Sequence, residues 1–197
     1  MKDALDRLTA GNLRYIKGEP SIADFSKARR EELVTEQNPF AIILSCADSR
    51  VPSEVLFDQG LGDLFVVRVA GNIASPSQVG SIEFAAAVLG AKLVVVLGHS
   101  HCGAVEATLG AIADPSSVPS ESIQSIVEEI KANLESKDDA SLDHSSSLDK
   151  AIRQNVKATC AALLDRSALL KDMVESNEAQ IIGAHYDLKS GLVEFIE

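Results

Sequence analysis

Leu93-Val94-Val95-Val96-Leu97-Gly98-His99 is the stretch that decides the fold. Its apolar run has no alternation, so a strand made from it is buried on both faces, as in a parallel sheet. Phe40-Ala41-Ile42-Ile43-Leu44 and Leu64–Val69 read the same way. A helical pattern at about Val79–Leu89, with an Ala-rich face suited to close packing, separates Leu64–Val69 from Leu93–Leu97. Strands that alternate with helices through short joints imply an α/β fold, a mainly parallel sheet flanked by helices.

Working outward, residues 3–17 place Ala4, Leu5, Leu8, Leu13 and Ile16 at helical spacing, and Glu19-Pro20 ends the pattern. A polar helix is expected at about 26–36, stopped by Asn38-Pro39. Beyond the central strands, helices are expected at 104–113 and 123–134, with a Pro/Ser-rich loop at 114–122. A polar connection covers 136–147. One long helix is expected at 148–175, carrying Ile152, Val156, Cys160 and Leu163. The chain closes on a strand hairpin, 180–185 and 192–196, around Lys189-Ser190-Gly191. We expect a single domain over 1–197, with an N-terminal helical arm at 1–37 and an α/β core at 38–197.

Composition narrows the function. The chain has 197 residues, 46% hydrophobic and 24% charged, with 4% aromatics and no Trp, so the core must be aliphatic. A formal net charge of -11 repels phosphate backbones and anionic headgroups, which argues against nucleic-acid and membrane-surface partners. No apolar run reaches the length of a membrane span, and Met1–Arg7 lacks the apolar core of a signal peptide; as given, the chain reads as cytoplasmic. Three cysteines in a chain of this size suit metal binding or burial better than a disulfide scaffold.

Two segments at carboxyl ends of the expected parallel strands, where open α/β sheets bind ligands, carry the chemistry. They are Ser45-Cys46-Ala47-Asp48-Ser49-Arg50 and Gly98-His99-Ser100-His101-Cys102-Gly103. Two thiolates and an imidazole match zinc, and three protein ligands leave a tetrahedral position open, as catalytic sites do. Asp48 and Arg50 follow Cys46 closely enough to reach the open side. Asp48 can orient a zinc-bound hydroxide while Arg50 grips it as a bidentate pair, or it can itself close the fourth position. Taken singly, each feature has a plainer reading: Cys46 as a core residue, Asp48 and Arg50 as a surface pair. Their joint occurrence moves the balance. Cys160 reads as core, and neither it, His144 nor His185 sits in a turn suited to a fourth ligand. His101 reads as a solvated turn histidine in preference to a proton shuttle.

These residues resemble the β-class carbonic anhydrases. Cys46-x-Asp48-x-Arg50 and His99-x-x-Cys102 carry the resemblance. Gly11-Asn12, Val51–Glu54, Gly62–Arg68, Ser81-Ile82-Glu83, Asn155-Val156 and Ala184–Asp187 extend it. The resemblance implies Zn2+ on Cys46, His99 and Cys102, with Asp48 and Arg50 as the catalytic dyad. It implies Gln37, Phe65, Ala70, Phe84 and Gly103 as substrate contacts, some supplied by a neighbouring subunit of a homodimer or homotetramer. The implied reaction is the reversible hydration of carbon dioxide to bicarbonate and a proton. Ile43 replaces a Trp that lines an inhibitory bicarbonate site in some bacterial members, so no such site is expected. Arg68–Asn72 also lacks the Asn that often follows the Arg. The alternatives are a carbon disulfide or carbonyl sulfide hydrolase on the same scaffold and a noncatalytic zinc-stabilised dimer module.

Overall fold

The computed structural model describes residues 1–21, 24–135 and 144–196. Helix α1 (Lys2–Lys17) opens the chain and ends on Gly18, whose left-handed backbone (φ 68°) lets its N–H and that of Glu19 reach the Tyr15 and Arg14 carbonyls. Helix α2 (Lys27–Glu32) is shorter than the 26–36 expected. The Ser26 side chain caps its start, but no residue of it is buried, so nothing extends it against the body. Then come β1 (Ala41–Ser45), the short α3 (Ser53–Leu56), β2 (Leu64–Arg68) and a 3₁₀ turn at Ala70–Asn72. Helix α4 (Pro76–Ala87), with Pro at its first position, leads to β3 (Leu93–His99) and α5 (Gly103–Ala113).

The second half is α6 (Glu121–Glu135), α7 (His144–Arg166), α8 (Ala168–Glu175), β4 (Gln180–Tyr186) and β5 (Val193–Ile196). The long helix expected at 148–175 is two helices. Ser167 takes an extended backbone, caps α8 by accepting from the Leu170 N–H, and donates its hydroxyl to Glu83 at 2.5 Å. Most of the expected connection at 136–147 lies outside the described residues, as does the side chain of His144; α7 already begins there.

The sheet order is β2-β1-β3-β4-β5, parallel except for the closing β4–β5 pair. Residues of β1 and β3 alternate between faces, and both faces are covered. Ile42, Leu44, Val94 and Val96 pack with Ile82, Val156, Leu163 and Leu170, on the side of α4, α7 and α8. Ala41, Ile43, Leu93, Val95 and Leu97 pack with Leu8, Leu56, Phe57 and Ala184, on the side of α1 and α3. Both strands are buried at every residue, as their unbroken apolar runs require. Among the described residues β2 pairs on one side only, and it is mostly half-buried. No described helix is long and apolar enough to cross a membrane.

Helix α1 docks through Gly11 and Asn12. A Cβ at Gly11 would stand 1.8 Å from the Phe57 carbonyl oxygen. The buried Asn12 amide donates to the Leu56 and Gly191 carbonyls and accepts from the Val193 N–H. One side chain thus ties α1 to α3 and to β5.

His185 on β4 is a second buried polar side chain. Its Nε2 stands 3.3 Å from Asp149 Oδ1, and Arg153, which also pairs with Glu194, lies against its Nδ1. Burial, with the Arg153 charge adding to it, pushes the imidazole below its usual range, against the pull of Asp149. A folded-state pKa below the unfolded value means that folding favours neutral His185. Its contribution is whole above about pH 6.5 and is lost as pH falls. Urea unfolding at several pH values checks this: His185→Gln should flatten the fall in stability between pH 7 and 5.

Candidate metal centre

Cys46 leaves the carboxyl end of β1, and His99 is the last residue of β3. Cys102 is the N-cap of α5. The turn between the last two runs through His101, whose left-handed backbone (φ 54°) folds Cys102 back toward His99. Three donor atoms, the two sulfurs and a His99 ring nitrogen, lie within 4.8 Å of one another, and all three residues are buried. Tetrahedral zinc with two sulfur ligands needs donor separations of roughly 3.5–4 Å, so small adjustments close this set.

His99 is fully buried. Its Nδ1 lies 2.9 Å from the Ser100 carbonyl oxygen, which can only accept, so Nδ1 carries the proton. Nε2 is then the ring nitrogen with a lone pair, buried without a partner. A buried acceptor left open costs free energy unless a ligand fills it, and a cation would fill this one. The neighbouring Cys102 thiol, assisted by the Gly71 N–H, holds the Cys46 thiol far below its usual range against burial. Cys46 in turn pushes Cys102 up. Cys46, Cys102 and His99 could together hold a divalent ion, which would favour both sulfurs as thiolates.

Asp48 lies beside this trio, with Oδ2 3.9 Å from His99 Nε2. Arg50 grips both its oxygens, Nε to Oδ1 at 2.9 Å and Nη2 to Oδ2 at 2.7 Å, and the Arg50 N–H adds a third bond. The guanidinium holds the carboxyl well below the usual range, so Asp48 is an anion at any working pH. Arg50 also donates to the His101 carbonyl, which links the two ligand loops; the His101 side chain is exposed.

Arg68 is a residue that the sequence pattern did not single out. Opposite Ser45 in the β1–β2 register, it donates to the Cys46 carbonyl (3.1 Å) and the Asp48 carbonyl (2.6 Å). Its place at the end of a strand beside the first ligand was the available signal.

One chain does not gather every expected substrate contact. Gly103 adjoins Cys102, and Ala70 precedes Gly71, whose N–H reaches Cys46 Sγ. Gln37 precedes β1 and lines a crevice with Leu33, Val34, Gly62 and Leu89, while Cys46 follows β1 at its other end. Phe65 pairs opposite Ile42, four residues before Cys46. Phe84 on α4 is 48% exposed. Cys160 packs against the aliphatic core of the α7 side, where burial pushes its thiol up to about 12. Among the described residues, neither Cys160 nor His185 joins the donor cluster.

A carbonic anhydrase family model matches residues 41–193. The chain belongs to the β-carbonic anhydrase family. The carbonic anhydrase of Mycolicibacterium smegmatis is 42% identical over 187 residues, 95% of this chain and 89% of that protein. Among solved structures, the β-carbonic anhydrase CcaA superposes with a TM-score of 0.78 at 24% identity, covering 98% of this chain and 95% of its own. Two tetrameric β-carbonic anhydrases of Sordaria macrospora are also similar in fold: the matched chain has a TM-score of 0.65 at 24% identity, with 99% and 95% of the two chains covered. In this β-carbonic anhydrase the five-stranded sheet, its mostly parallel pairing and the antiparallel closing pair are as the sequence pattern implied.

Proposed function

We propose that the chain catalyses the reversible hydration of carbon dioxide to bicarbonate and a proton, using zinc held by Cys46, His99 and Cys102. The observation that carries this reading is the buried, unpartnered Nε2 of His99, grouped with two thiols and flanked by an arginine-clamped aspartate. Zinc supplies Lewis acidity there, which makes water a nucleophile near neutral pH.

The chain's own residues do the rest. Asp48, kept anionic by Arg50, accepts a hydrogen bond from the attacking water and aims its lone pair at carbon dioxide. Arg68 holds the backbone carrying Cys46 and Asp48 in place. Phe65, Ala70 and Phe84 offer an apolar wall to a linear nonpolar molecule, and Gln37 and Gly103 contact its oxygens. The proton leaves to buffer on the side where Arg50 is exposed.

Gln37, Phe65 and Phe84 act at the metal centre of a second copy. In one chain Gln37 and Cys46 stand at opposite ends of β1; among the described residues β2 leaves an unpaired edge, and Val34, Phe84 and Val88 are exposed. The active unit is therefore a homodimer or a multiple of it.

Stopped-flow hydration of carbon dioxide, with metal analysis of the same sample, tests the reaction. Activity should vanish in Cys46→Ala, together with the zinc; a metal-free sample as active as wild type would overturn the reading. Mixing tests the shared site. Gln37→Ala and Cys46→Ala chains, refolded together in equal amounts, should recover about a quarter of wild-type activity. Half the dimers are then mixed, and each mixed dimer holds one complete site. No recovery would place Gln37 in its own chain's site, and Gln37→Ala chains as active alone as wild type would place it outside catalysis.

A further inference from the structure

The half-buried Asn133 meets the buried Asn155 and Thr159 between α6 and α7 in a network that ends on the proposed metal centre. Asn133 Nδ2 on α6 lies 2.8 Å from Asn155 Oδ1 and 3.3 Å from Thr159 Oγ1, both on α7. Asn155, wholly buried, donates from Nδ2 to the Gly71 carbonyl at 2.8 Å. Gly71 in turn directs its N–H at Cys46 Sγ, 3.4 Å away.

Packing alone does not require this. A helix pair can close on apolar side chains, and buried polar groups cost free energy unless every partner is met. The network also fixes an unusual peptide. Gly71 has a φ of 73°, a backbone that side chains rarely adopt, and a Cβ there would crowd Ile130 Cδ1 at 2.6 Å, so the turn favours glycine. Asn155 is the side chain that sets how this turn faces Cys46. Its own amide is kept from flipping by Asn133, which donates to the oxygen and leaves the nitrogen to meet the Gly71 carbonyl.

We propose that Asn155 is a positioning residue for the metal centre: it locks the Gly71 peptide so that the Gly71 N–H points at Cys46 Sγ and draws off part of the thiolate charge. The proposal rests on the reading of Cys46 as a metal ligand. Two thiolates on one ion leave it electron-rich, which blunts its power to activate water. A hydrogen bond to sulfur offsets this. Asn155 thus acts on the ion's acidity from a helix that carries none of the three proposed ligands.

The test uses the full chain loaded with Co2+, whose thiolate-to-metal charge-transfer band in the near ultraviolet reports sulfur electron density. Asn155→Leu, close in size, removes the donor; Asn133→Leu frees the Asn155 amide to turn. Both should move the band to longer wavelength, the second by less, and Asn155→Leu should weaken zinc about tenfold in competition with a chelator. Gln154→Leu is the control. It breaks the bonds from α7 to the Asn133 and Leu134 carbonyls without touching Gly71, so it should lower the melting temperature and leave the band in place. A band unmoved in both asparagine variants overturns the proposal. A band moved equally by Gln154→Leu also overturns it, because the effect would then be loosened helix packing. Should Asn155→Leu fail to fold, Asn133→Leu alone decides. Wild type showing no thiolate band with Co2+ would instead overturn the metal reading itself.

Discussion

Asp48→Asn should lower carbon dioxide hydration by about a hundred- to ten-thousandfold, the range a positioned acid–base group supplies, and leave the zinc in place. Asparagine keeps the volume and one oxygen but replaces the other oxygen with an N–H pair. Arg50 then faces a donor where it had an acceptor, and the two-pronged grip, 2.9 and 2.7 Å, is broken. The group beside His99 Nε2 is no longer held as an anion, so an attacking water loses its orienting acceptor. Retention of the proposed metal is expected because Asp48 lies outside the three-donor cluster. Stopped-flow rates and zinc content, measured on one preparation, check both halves. A rate within twofold of wild type would remove Asp48 from the mechanism. Arg50→Gln tests the same pair from the other side: a freed Asp48 can swing onto the ion, so the rate should again fall with the metal retained.

Gly11→Ala is the stability prediction with the largest effect. The added methyl meets the Phe57 carbonyl oxygen at 1.8 Å and the Phe57 carbonyl carbon at 2.7 Å, both backbone atoms. No rotamer relieves a clash with backbone, so α1 must lift away from α3. Asn12, one residue on, then loses its bonds to Leu56, Gly191 and Val193, and the seat of Leu8 in the core opens. Stranding several buried polar groups and part of a leucine contact costs about 3–5 kcal/mol. For a chain of this size that lowers the melting temperature by roughly 6–20 °C. Differential scanning calorimetry measures it. A loss under 2 °C would mean that α1 does not dock as described.

The parts of the fold that were legible in the sequence are those whose signal is local. β1 and β3 announce themselves because strands covered on both faces have no polar side to show. The three donors were legible because each sits at a strand end or the turn beyond it, where side chains of distant segments converge. The break in the long helix was missed because Leu148–Glu175 keeps its helical spacing through Ser167; only the bond from Ser167 to Glu83, 84 residues away, marks the cap as needed. Arg68 and Asn155 were missed as supports of the metal centre for a related reason. Each works through a backbone carbonyl, and a carbonyl has no letter in a sequence. The proposed substrate contacts Gln37, Phe65 and Phe84 came from resemblance alone, and no spacing within one chain brings them to Cys46.

The exposed ring of Phe84 has a practical consequence. The sequence holds no Trp, so the protein is dark to excitation at the red edge of the near ultraviolet. A lone indole installed by Phe84→Trp would be its sole emitter at that wavelength. Its colour would shift toward the blue when another copy covers it, so a dilution series read by fluorescence would follow assembly without any label.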